Sequence, residues 1–86
     1  MKHIVIAFKS RNELYTFARI LKSNNVFLNV INSPKTIASS CTLSIKTDYR
    51  FLSTVNHLLL RHQPSSFLGL YSVQSTSNGE QILRLM

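Results

Sequence analysis

The chain is poor in cysteine, glycine, proline and acidic residues, and it has no tryptophan. Its single cysteine, Cys41, removes an internal disulfide. It also removes a multi-cysteine zinc or iron–sulfur centre, which needs about four closely spaced thiolate or imidazole ligands. The three histidines do not make up the shortfall: His57 and His62 stand five apart, on different faces of a helix, where a ligand pair wants i, i+4 spacing. No metal and no cofactor are therefore expected. The three acids, Glu13, Asp48 and Glu80, form no pair for general acid–base work, and each has a structural role open to it as capping-box member, helix cap or turn residue. A classical enzyme is not expected. The apolar run Ile4 to Phe8 is five residues long, too short for a signal-peptide core or a membrane span. The reading is thus a cytoplasmic chain with a reduced Cys41 and no membrane partner. With two Gly and two Pro in 86 residues there is no linker composition, so one small domain is expected.

What is present is basic and periodic. Ten Lys or Arg against three acids give a net charge of +7. His3 to Phe8 reads as a β-rich interior strand. Ser10 followed by Glu13 has the spacing of a capping box, and Leu14, Phe17, Ala18 and Leu21 form one apolar stripe that ends at Ser23-Asn24-Asn25. Arg11, Tyr15, Arg19 and Lys22 fall on another face. Val26 to Ile31 reads as a second strand closed by Asn32-Ser33-Pro34, and Thr42 to Lys46 as a third, with Leu43 and Ile45 on one face and the other face wet. Thr47 or Asp48 can cap a second helix whose stripe is Leu52, Val55, Leu59 and His62, with Leu58 beside it, ending before Pro64. Phe67 to Val73 is a fourth strand. In the tail, Asn78-Gly79 is a turn signal that can fold Gln81 to Leu85 back as an edge strand, with a short helix or a frayed end as alternatives.

The order βαββαβ predicts an α+β fold: a ferredoxin-like sandwich with a four-stranded antiparallel sheet in the order 4-1-3-2 and two helices on one face. The domain spans residues 1–73, and 74–86 is a C-terminal extension. This topology brings the loop between strands two and three to the end of the sheet where helix one begins and helix two ends. Cys41 is accordingly expected near Lys9, Ser10 and Arg11, with Arg61 and His62 within range. Strands two and four are expected at the edges, where Phe27, Ile31, Phe67 and Tyr71 would leave an apolar patch on the open face and make a homodimer plausible.

Pro34-Lys35-Thr36-Ile37-Ala38-Ser39-Ser40-Cys41-Thr42-Leu43-Ser44-Ile45-Lys46 is the most informative stretch. A Pro, a basic residue, an Ile, one or two Ser, a Cys and a short strand ending in a basic residue resemble the pattern of a family of small selenium/sulfur carrier-like proteins. Pro34, Lys35, Ile37, Ser39, Ser40, Cys41, Leu43, Ile45 and Lys46 fit it. Thr42 stands where Gly is commoner after the Cys, and Lys35 where Arg is commoner. The resemblance spans about residues 1–73 and implies a carrier role, with Cys41 holding sulfur or selenium as a persulfide or selenosulfide. Its partners would be a protein donor and a protein acceptor. Lys35, Ser39, Ser40 and Thr42 would then be its neighbours. Positive potential from a helix N-terminus and from Lys9, Arg11, Lys35 and Lys46 favours a thiolate, and without a second Cys the cargo has to pass to another protein.

The charge also admits a basic module for RNA or for an acidic protein, in which Cys41 is structural. Against nucleic acid, the basic residues are dispersed in sequence, and strands one and three offer only Phe8 as an aromatic, with no match to the aromatic-rich pattern of RNA-binding sheets. His62 beside Cys41 would offer a proton partner, but no oxyanion hole accompanies the pair.

Overall fold

In a computed structural model, residues 2–33 and 43–86 are described. The element order is β1 (Lys2–Phe8), α1 (Arg11–Ser23), β2 (Leu28–Asn32), β3 (Leu43–Asp48), a 3-10 turn (Tyr49–Phe51), α2 (Leu52–His62), β4 (Phe67–Thr76) and β5 (Gly79–Arg84). The fold is α+β, with every strand pair antiparallel. The four-stranded sheet of order 4-1-3-2 is corrected to five strands in the order β2-β3-β1-β4-β5. Its cause is local. Gly79 adopts φ 111, a conformation costly for residues with a Cβ, and turns the chain so that Gly79 to Arg84 pairs back along Thr76 to Tyr71. The last residues continue that pairing, with Leu85 N donating to Leu70 O at 2.7 Å.

Both helices pack on one sheet face. Leu14, Phe17, Ala18 and Leu21 of α1 and Val55, Leu58 and Leu59 of α2 join Ile4, Ile6 and Phe8 of β1, Ile45 of β3 and Leu70 of β4 in one buried cluster. Phe8 is its aromatic hub, 5.7 Å from the Phe17 ring and 6.2 Å, edge-on, from the Phe67 ring. Ser10 Oγ accepts from Glu13 N and starts α1. Asn25, at φ 62, follows the helix and sends the chain toward β2. At the other helix, Gln63 takes a left-handed conformation and its N–H donates to Leu59 O at 2.9 Å, which closes α2 just ahead of Pro64.

Several expectations are corrected. Strand two begins at Leu28 because Val26 still belongs to the α1 terminus: its N–H donates to Leu21 O at 3.0 Å. Strand three runs on to Asp48, so Thr47 is a buried strand residue donating to Phe27 O, while Asp48 Oδ1 accepts from Arg50 N at 2.9 Å and caps the 3-10 turn. The second face of β3 is not wholly wet, since Ser44 is fully buried. Strand four is interior because β5 flanks it. A register shift between Ala7 and Phe8 pairs Phe8 with Phe67, and Phe67 therefore packs against the helix-side core. Only Phe27, at 76% exposure, stands out in water among the aromatics assigned to the open-face patch.

Candidate functional site

The sheet has two poles. At one, β1 and β2 end, β3 and β4 begin, α1 starts and α2 stops; at the other, β1 and β2 begin and α1 and β3 end. The segment 34–42 is attached at the first pole, where Ser33 and Leu43 flank it. Its bases are joined twice. Asn32 lies opposite Leu43 in the β2–β3 register, and the Ser33 and Ser44 hydroxyls hydrogen-bond at 2.6 Å. Cys41, Lys35, Ser39, Ser40 and Thr42 lie outside the described residues.

Lys9 and Arg11 are exposed at this pole. Lys9 N donates to Ser66 O at 2.8 Å, which seats the β1–α1 junction against the α2–β4 loop. Glu13 makes the second contact. Instead of turning back to the Ser10 amide, as the capping box predicts, its carboxylate accepts from Ser65 Oγ at 2.6 Å and from Ser66 N at 3.0 Å. The Ser65 hydroxyl first, then the Ser66 amide, hold the Glu13 carboxyl below the usual carboxylate range. Hydrogen-bonded in this way, Glu13 keeps both oxygens on the serines, and Lys9 and Arg11 make no ion pair with it. His62 and Glu13 line a hollow of about 230 Å³ between the helices, together with Thr16, Phe17, Ile20 and Pro64.

Lys46 is not brought to this pole. It sits toward the end of β3, opposite Val5 and Asn29, where its ammonium acts on His3. Burial chiefly, and Lys46 next, push the His3 imidazole below its ordinary pKa. With Lys2, Lys22 and Asp48, these two residues line a groove of about 690 Å³ at the second pole. The sequence reading missed this convergence, for these lysines are far apart in the chain. The usable signal was the β1–β3 pairing combined with the point where α1 ends. Among the described residues no cluster of His, Cys, Asp or Glu is placed to hold a metal ion. No helix among them is long and apolar enough to cross a membrane.

The described pole and its fold define a small basic α+β protein whose cysteine-bearing segment springs from two paired strand ends. The family model described as "Putative Se/S carrier protein-like" matches residues 3–71, and the chain belongs to that family. The matched span includes Cys41 and both strands that flank its segment, and stops within β4, ahead of β5. No curated protein and no solved structure matches the chain.

Proposed function

We propose that the protein is a sulfur or selenium carrier that holds its cargo on Cys41, in a reducing cytoplasmic compartment. Membership of the carrier-like family across residues 3–71 is the observation that carries this reading. The chemistry is sulfane exchange. A Cys41 thiolate attacks the terminal sulfur of a donor protein's persulfide, a new S–S bond forms at Cys41, and the donor leaves as its thiolate, so no external oxidant or reductant enters. Release to an acceptor thiolate is the same exchange in reverse. Lys9 and Arg11, exposed at the pole where the segment is attached, would raise local potential and favour the thiolate, with Lys35 adding to it. Ser39, Ser40 and Thr42 would be the immediate neighbours of the sulfur. Within the five-stranded sheet, β1 to β4 with the two helices are read as a ferredoxin-like unit that β5 extends.

Intact mass of protein purified without reductant and exposed to a cysteine desulfurase with cysteine tests the carrier reading. Gain of one sulfur that disappears on reduction and in Cys41→Ser is the expected result. An unchanged mass beside a positive-control acceptor overturns it.

A further inference from the structure

The groove at the second pole lies at the opposite end of the sheet from the ends that hold the cysteine segment, and the carrier reading makes no use of it. Its walls come from four elements: Lys2 and His3 from β1, Lys22 at the end of α1, Phe27 to Asn29 entering β2, and Lys46 to Asp48 closing β3. Three features coincide there. The first is charge, since Lys2, Lys22 and Lys46 line it beside Asp48, one oxygen of which already accepts from Arg50 N, while Glu80 of β5 acts on His3. The second is an aromatic ring in water. Phe27 is 76% exposed between the buried Val26 and the half-buried Leu28, so the fold presents its ring to solvent at the groove and spends no core contact on it. The third is volume, about 690 Å³, within the range of pockets that take small organic ligands.

Lysines alone would suit any anion, and an exposed ring alone any flat apolar group. Held together, they call for a ligand that is both planar and anionic. We propose that this groove binds a nucleoside phosphate: the base stacks on Phe27, the phosphates lie among Lys2, Lys22 and Lys46, and the free lone pairs of Asp48 accept from a ribose hydroxyl. Stacking on an aromatic face tolerates any base, so selectivity among bases is low. The backbone around Phe27 is pre-set for the task. Thr47 Oγ1 donates to Phe27 O, and Val26 N to Leu21 O, which fixes the turn on both sides of the ring before any ligand arrives. Lys2 Nζ lies 4.0 Å from the Tyr49 ring centroid, a cation–π contact that anchors this side chain at the start of β1.

The test titrates the full chain at low salt with ADP, adenosine, pyrophosphate and a short single-stranded RNA, following backbone amides by NMR and affinity by calorimetry. ADP is expected to bind more tightly than adenosine or pyrophosphate and to shift amides of residues 25–29 and 46–48. Phe27→Ala should weaken it about tenfold, the order of one lost stacking platform, and Lys22→Gln should weaken ADP and leave adenosine unchanged. Both side chains are exposed, and equal melting temperatures for variants and parent show that folding is intact. Absence of ADP binding overturns the proposal. Pyrophosphate binding as tight as ADP and indifferent to Phe27→Ala also overturns it, leaving a plain anion patch. RNA binding that ADP does not displace overturns it in favour of a nucleic-acid surface.

Discussion

Glu13 and Ser65 are joined across the fold: the Glu13 carboxylate accepts from the Ser65 hydroxyl at 2.6 Å, and its second oxygen takes the Ser66 amide at 3.0 Å. One side chain in the first turn of α1 thereby clamps the loop that leads into β4. These bonds need the ionised carboxylate, and they lower its pKa on folding. The folded state therefore holds the proton less tightly than the unfolded chain. Their contribution is complete above the unfolded carboxyl value of about pH 4.3 and fades as pH falls through the lower folded value. Glu13→Gln should lower the melting temperature at neutral pH. The gap to the parent should close in acid, read from melts at a series of pH values.

Gly69 is held without a side chain by Tyr71. A Cβ placed on Gly69 would sit 2.8 Å from the Tyr71 ring and hydroxyl, because the two residues share a face of β4 and the ring leans back over the glycine. Arg84 from β5 lies 5.9 Å from the ring centroid and donates to Leu68 O at 3.2 Å, which limits how far the ring can swing. Gly69→Ala should destabilise the domain by about 1 to 3 kcal/mol, the usual cost of overpacking. In a Tyr71→Ala background the same change should cost much less. A double-mutant cycle by urea unfolding measures the difference.

Phe8 ties the sheet to α1 and to β4 through two ring contacts, and its exposure is 1%. Removing it empties the centre of a small core. Phe8→Ala should cost about 3 to 5 kcal/mol, a loss comparable to the whole stability expected of so short a chain. Circular dichroism should show a largely unfolded population at room temperature. Phe8→Leu should stay folded with a lowered midpoint.

Thr42 bears on the carrier proposal. On that proposal a β-branched residue next to Cys41 would restrict approach to its sulfur, where a glycine would not. Thr42→Gly is expected to accelerate persulfide loading of Cys41 several-fold, followed as the rate of mass gain. An equal or slower rate would remove Thr42 as the brake.

Helix α1 was legible because its signal is local, whereas in α2 only Val55, Leu58 and Leu59 are buried and His62, placed on the apolar stripe by its spacing, is exposed. The stripe Leu14, Phe17, Ala18 and Leu21 matches the buried residues of α1, and the β1 run matches its buried pattern apart from the first residues. The Asn78-Gly79 turn signal offered an edge strand as one of three conformations for the tail, and β5, at Gly79–Arg84, is that one. What escaped depends on partners distant in the chain. Glu13 found Ser65 instead of its own Ser10 amide, Phe67 changed face through the Ala7/Phe8 register shift, and Val26 was retained by Leu21 so that β2 began later than its β-rich composition suggested. Charge was hidden in the same way. Dispersed along the sequence, Lys2, Lys22 and Lys46 come to line one groove only when β1, α1 and β3 are assembled.

His3 reports on one of these charges, that of Lys46. Its imidazole is partly buried, and burial is the main cause of its lowered pKa, with the Lys46 charge second and Glu80 opposing them. A depressed folded value means that the native state takes up the proton less readily than the unfolded chain. The stabilising contribution of neutral His3 is therefore present above about pH 6.5 and is lost as pH falls through the folded value. Lys46→Met should raise the His3 midpoint part of the way back, since it removes the second cause and leaves the first. Added salt should do the same in the parent, because it screens a charge without undoing burial. NMR titration of the His3 ring protons measures both shifts. A midpoint unmoved by Lys46→Met would mean that the ammonium does not act on the imidazole across the groove.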